Sequence, residues 1–171
     1  MEVSKKRCAV IYHSRWGNCE LVAAAVATGL YETGHRPYVA ELGSVTGINS
    51  DLDAIILGAP TSASRATRQV RLFIKRCIGE TQRGTWFAAF GTGLDAELAN
   101  GNRQAAGEIY ELLVEKGLVP LAPPFQAAVK DLKGPPVYGE LERAFRFGID
   151  LGTTLRTEDR RGGRGNLRRV I

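Results

Sequence analysis

Five short apolar runs, separated by segments whose apolar residues recur at helical spacing, predict a doubly wound α/β domain built on a five-stranded parallel sheet. That alternation is the first observation. The second is that each intervening segment is long enough for the crossover of about a dozen residues that a right-handed parallel connection needs. The third is size: 171 residues suit one domain, by the usual prior of roughly 100 to 200 residues each, and exclude two large ones. With 44% hydrophobic and 24% charged residues the chain is also of ordinary globular composition, which excludes wholesale disorder and fibrous architectures.

Arg7-Cys8-Ala9-Val10-Ile11-Tyr12 has no polar alternation and is rich in β-branched residues, as a strand covered on both faces is. From Asn18, Leu21, Val22, Ala25, Val26 and Leu30 mark one face of a helix that Thr33-Gly34 stops. Pro37–Leu42 is the second strand, and 43–50 a loop with room for one helical turn. Asp53–Gly58 is the third strand, which Pro60 is expected to end. Val70, Phe73, Ile74, Cys77 and Ile78 define the next helix. Thr85–Phe90 is the fourth strand, broken by Gly91-Thr92-Gly93. Ala106, Ile109 and Leu113 carry a helix to Lys116-Gly117, and Val119–Val129 holds the last strand, interrupted by Pro123-Pro124. Leu141, Ala144, Phe145, Gly148 and Leu151 form the inner face of a closing helix. Val10, Ile11, Ile55, Ile56 and Phe87 are the expected core.

The net charge of +5 is concentrated at one end. Six arginines against Glu158 and Asp159 give residues 156–171 a charge of +4, so the rest of the chain is nearly neutral. This glycine-containing basic segment cannot bury enough apolar surface to offset its ordering entropy, and it reads as a disordered tail behind a domain of residues 1–155. A nucleic-acid partner is therefore expected only through the tail, if at all. No apolar run approaches the roughly 20 residues of a membrane span and the first residues do not form a signal peptide, which makes the cytoplasm the default. Cys8, Cys19 and Cys77 are odd in number and lack C-x-x-C spacing, against both a disulfide framework and a zinc site; no metal is expected.

In a doubly wound sheet a ligand sits beyond the carboxyl ends of the strands. The loop His13–Cys19 offers the Ser14 hydroxyl, Gly17, the Asn18 amide and the positive end of a helix dipole, a set suited to a phosphate as well as to plain helix capping. Neither G-x-x-x-x-G-K-[ST] nor G-x-G-x-x-G occurs, which removes the main support for triphosphate or dinucleotide binding. Cys19, in the first helical turn, is a candidate for a lowered thiol pKa or a passive stand-in for threonine. Cys8 and Cys77 read as small core hydrophobes. His13 is placed to tune a ligand or simply to be solvated, and Arg15 and Arg65 to pair with phosphate or with nothing.

The segment Ile11–Glu20 resembles the phosphate-binding loop of flavodoxin-like proteins in its S-x-[YW]-G-N-T form. Asp53–Thr61 is similar to their D-x-[IV]-[IV]-x-G-[SA]-P-T segment, Ala88–Gly93 to their A-x-F-G-S-x-G loop, and Gly139–Ala144 to the start of their last helix. The matches fall in the family's order across residues 7 to 154. The resemblance implies strand order 2-1-3-4-5 and FMN as cofactor. Its phosphate would lie on Ser14, Arg15, Trp16, Gly17, Asn18 and Cys19. Its ring would lie between Pro60, Thr61, Ser62 and Ala63 on one side and Phe90, Gly91, Thr92 and Gly93 on the other. Two departures stand out: Cys19 replaces the family's threonine, and neither 61–65 nor 91–95 carries the aromatic residue that flanks the ring in many members.

The expected function is FMN-dependent electron transfer, or reduction of a small acceptor as an oxidoreductase, with a redox partner protein or a small molecule meeting the flavin. No catalytic acid, base or nucleophile stands out. The alternative is a flavodoxin-fold interaction module without flavin, tethered to nucleic acid or membrane by its tail.

Overall fold

The computed structural model describes residues 5–160. Along the chain β1 (Cys8–Tyr12), α1 (Asn18–Glu32), β2 (Tyr38–Glu41), β3 (Ala54–Ser62), β4 (Arg65–Ala66) and α2 (Arg68–Cys77) are followed by β5 (Trp86–Leu94), α3 (Asp95–Ala99), α4 (Ala105–Glu115), β6 (Val119–Pro120), β7 (Phe125–Val129) and α5 (Glu140–Arg160). Single 3-10 turns at Leu42–Ser44 and Glu80–Gln82 tighten two connections.

The sheet runs β2-β1-β3-β5-β6, with β7 also paired to β5. Strands β6 and β7 are the two halves of the last strand, separated by Pro123-Pro124, and both lie parallel to β5. The five parallel positions therefore follow the order 2-1-3-4-5, as the family resemblance implies. The two-residue β4 pairs antiparallel with the end of β3.

Successive strand residues point to opposite faces, and the continuous apolar runs supply both layers at once. Val10, Tyr12, Ile56 and Phe90 meet α1 and α5 on one side, while Ala9, Ile11, Ile55, Leu57 and Phe87 meet α2 and α4 on the other. The five expected core residues are all buried. Cys8 is buried as well, whereas Cys77, at the end of α2, is only partly covered.

Three expectations fail, each because tertiary pairing outweighs a local signal. β3 does not end before Pro60 but continues to Ser62, with Pro60 opposite Thr92 of β5. β1 stops at Tyr12 opposite Gly58, so beyond that point β3 is an edge on its β1 side, the setting in which a strand tolerates proline. Likewise β5 is not broken by Gly91-Thr92-Gly93, because β7 supplies a partner at each position from Phe90↔Phe125 to Leu94↔Val129. The closing helix also passes the boundary expected at 155. It continues through Arg160, and the Arg156 guanidinium donates to the Thr33 carbonyl at 3.3 Å. Residues 161–171, the remainder of the expected tail, lie outside the described residues.

α1 and α5 lie side by side at backbone contact. A Cβ on Gly29 would overlap the Phe145 carbonyl oxygen, and one on Gly148 the Val26 carbonyl. Both obstacles are main chain, so they yield only if the helices separate. His35, unremarked in the sequence, is buried at the end of this pair. Its Nδ1 accepts the Lys6 amide (3.3 Å), which leaves Nε2 to donate to the Gly152 carbonyl (3.0 Å). Gly148→Ala is expected to destabilise the protein by about 1–3 kcal/mol through overpacking. Urea denaturation should show a lower midpoint with an unchanged slope.

Candidate functional site

The β1–α1 connection is a tight turn organised by its own side chain. Ser14 Oγ accepts the Gly17 amide at 3.1 Å, and Gly17 stands at φ +89°, a left-handed conformation that glycine adopts without penalty. Gly17 is the N-cap of α1, and no side chain caps the helix. The first backbone bond runs from the Leu21 amide to the Gly17 carbonyl (3.1 Å), so the amides of Asn18, Cys19 and Glu20 start the helix with no intrahelical acceptor. Three amides without an intrahelical acceptor and the helix dipole suit this turn to an anion.

The second segment is a β-hairpin. Ser62 pairs with Arg65, and the two turn residues Ala63 and Ser64 have φ of 50° and 60°. Positive φ at both positions is the geometry for which Asn-Gly is preferred, so Ala63 and Ser64 hold it under strain. The hairpin is tied to α4 by Glu108. Its buried carboxylate accepts the Ala66 amide (2.7 Å) and both Nε and Nη2 of Arg65 (3.2 and 3.1 Å). Thr61 Oγ1 accepts the Ala105 amide (3.0 Å) and donates to Gln104 Oε1 (3.0 Å), and Gln126 Oε1 accepts the Ala106 amide (3.1 Å). The hydroxyl of Thr61 thereby serves the start of α4.

A small cleft lies where these ends converge. It is lined by Ser14, Arg15, Trp16, Asn18 and Cys19 from the first loop, Pro60 and Thr61 from β3, and Thr92 and Gly93 from β5. The other residues singled out in the sequence fall elsewhere. Gly17 lines a neighbouring open cleft, and Ser62 and Ala63 belong to the hairpin. Phe90 and Gly91 lie inside the sheet; the Phe90 ring is fully buried against Gly58, where a Cβ would overlap it, so Phe90 is a core residue and not a ring-flanking one. Sequence reading missed Leu94, Val129 and Leu132, which complete the lining. An available signal was Leu132, an apolar residue among Lys130, Asp131 and Lys133 just past the last strand, at the same sheet edge as the other loops.

Cys19 is fully buried and burial alone raises its thiol, which overturns the reading of a reactive thiolate and leaves the passive one. Arg65 is engaged by Glu108 through Nε and Nη2. His13 Nδ1 lies 2.9 Å from Thr67 Oγ1. Burial lowers its imidazole from the ordinary value near 6.5; the Glu41 carboxylate opposes this and the Arg15 guanidinium adds to it.

Two predictions follow from these local geometries. Because the unfolded chain binds the His13 proton more tightly than the folded one, this residue's stability contribution is complete above about pH 6.5 and is lost as the pH falls through its lower folded value. The thermal midpoint should drop between pH 7 and pH 5, with a shallower slope in His13→Asn. Replacing Ala63 by Asn and Ser64 by Gly relieves the turn and should raise stability by about 1–2 kcal/mol, read from thermal denaturation.

No protein-family model matches the chain. Among solved structures, a flavodoxin from the domain Archaea is 23% identical, with a TM-score of 0.70 over 88% of this chain and 99% of its own. A flavodoxin, WrbA-like protein from Agrobacterium tumefaciens is 19% identical, with a TM-score of 0.70 over 90% of this chain and 99% of its own. Rubredoxin oxygen:oxidoreductase from Desulfovibrio gigas matches at 17% identity and a TM-score of 0.69, this chain spanning 36% of it. With the strand order, the first-loop turn and these superpositions in agreement, the chain has the flavodoxin-like fold.

Proposed function

We propose that the protein binds FMN through the β1–α1 turn and serves in electron transfer or in flavin-dependent reduction of a small acceptor, meeting a redox partner protein or the acceptor itself in the cytoplasm. The observation that carries this reading is the uncapped start of α1, whose Asn18 and Cys19 line the cleft together with Ser14. Bound FMN supplies the redox chemistry, and the protein's part is placement and electrostatics.

The donor set fits a phosphate dianion. Three amides at the start of α1 have no acceptor among the described residues, the Ser14 hydroxyl can donate its proton while its oxygen braces Gly17, and Asn18 adds a carboxamide. Leu94, Val129 and Leu132 line the same cleft as the Trp16 indole, which is 56% exposed, and give it apolar surface for a planar ring. Aliphatic flanks forgo the roughly 0.5–1.5 kcal/mol that each aromatic pair adds beyond burial, so the phosphate carries a larger share of the affinity here.

A second reading, a flavin-free interaction module, draws on the aromatic-free hairpin and on the burial of Phe90. Titration of the protein with micromolar FMN separates the two. Flavin fluorescence should be quenched, and riboflavin should bind far more weakly. Gly17→Val forces a branched side chain into the left-handed region and should abolish most FMN binding, although the space beside Gly17 is open. Ser14→Ala should cost about tenfold or more in Kd, the equivalent of one charge-assisted hydrogen bond of roughly 1.5–3 kcal/mol. Equal binding of FMN and riboflavin, or no quenching, favours the second reading.

A further inference from the structure

We infer that Lys133, in the segment between β7 and α5, is a specific ligand of the FMN phosphate and adds a cationic contact from outside the first two loops. The inference rests on the FMN reading above and deepens it.

Lys133 lines the neighbouring open cleft together with Gly17 and Asn18, the cap and first residue of α1. Its ammonium stands over the Trp16 ring, 5.2 Å from the centroid, and among the described residues it makes no ion pair. Glu20 lines the same cleft without bridging to it. Of the other cations near the turn, Arg65 is held by Glu108, which leaves Arg15 as an exposed side chain on the turn itself.

The segment is held in place against the helix start. The Lys133 amide donates to Asp131 Oδ1 (2.9 Å), the Gly134 amide to the Asp131 carbonyl (2.9 Å) and the Lys130 amide to the Pro135 carbonyl (3.0 Å). At Gly134 the backbone sits so close to Asn18 that a Cβ would overlap its carboxamide. The loop that carries Lys133 is thus closed on itself and packed against Asn18 at the helix start. A point charge at a helix start strengthens phosphate binding in a manner that salt screens, which separates its contribution from that of the neutral amides.

The test compares FMN and riboflavin binding by wild-type protein, Lys133→Met and Lys133→Arg at low and at physiological ionic strength. The expected result is an about tenfold weaker FMN Kd for Lys133→Met at low salt, a smaller gap at physiological salt, recovery in Lys133→Arg and unchanged riboflavin binding throughout. An FMN Kd within twofold of wild type in Lys133→Met, while wild type still prefers FMN to riboflavin, overturns the assignment and leaves the FMN reading standing. Parallel weakening of both flavins in Lys133→Met also overturns it, since a loop that merely shapes the cleft would act on the shared ring. Equal binding of FMN and riboflavin by wild type overturns the FMN reading and this inference with it.

Discussion

The pairing of β3 with β5 governs the rest of the structure. These two strands stay in one parallel register from Ala54↔Trp86 to Pro60↔Thr92, beyond the point at which β1 has stopped. That extension carries Pro60 and Thr61 outward beside Thr92 and Gly93, and so one wall of the cleft is sheet and not loop. Gly58 is the concession that permits it: the Phe90 ring occupies the space where a side chain at 58 would be. An aromatic residue committed in this way to the core is unavailable at the rim.

The hairpin that prolongs β3 depends in turn on α4. A buried carboxylate is costly unless its oxygens are satisfied, and Glu108 is satisfied by three N–H groups that all belong to the hairpin. Thr61 and Gln126 then accept the two leading amides of the same helix. The strained turn at Ala63-Ser64 is held by these attachments at its base, because its own residues favour another conformation.

What the sequence made legible was whatever is encoded in near neighbours. Uninterrupted runs such as Ala9-Val10-Ile11 and Ile55-Ile56-Leu57 fix strands covered on both faces, and Ser14-Arg15-Trp16-Gly17-Asn18 fixes a strand-to-helix turn with its left-handed glycine. The missed features depend on residues far apart in the chain. Pro60 and Gly91-Thr92-Gly93 read locally as breaks, and only pairing with β5 and β7 keeps them extended. Arg65 looked free because its partner lies 43 residues away. Cys19 looked activated from its place in the first turn, yet burial, a property of the whole fold, dominates its thiol. Lys133 lies just past the last strand, to whose carboxyl end the same rule of ligand placement applies as to the first.

The buried imidazole of His35 ties the entry of the first strand to the last helix. It links the amide of Lys6, just ahead of β1, to the carbonyl of Gly152 in α5, at the end of the strands opposite the cleft. A change at this one side chain would remove a partner from both groups at once, so damage there reaches the start of the sheet and the seat of α5 together.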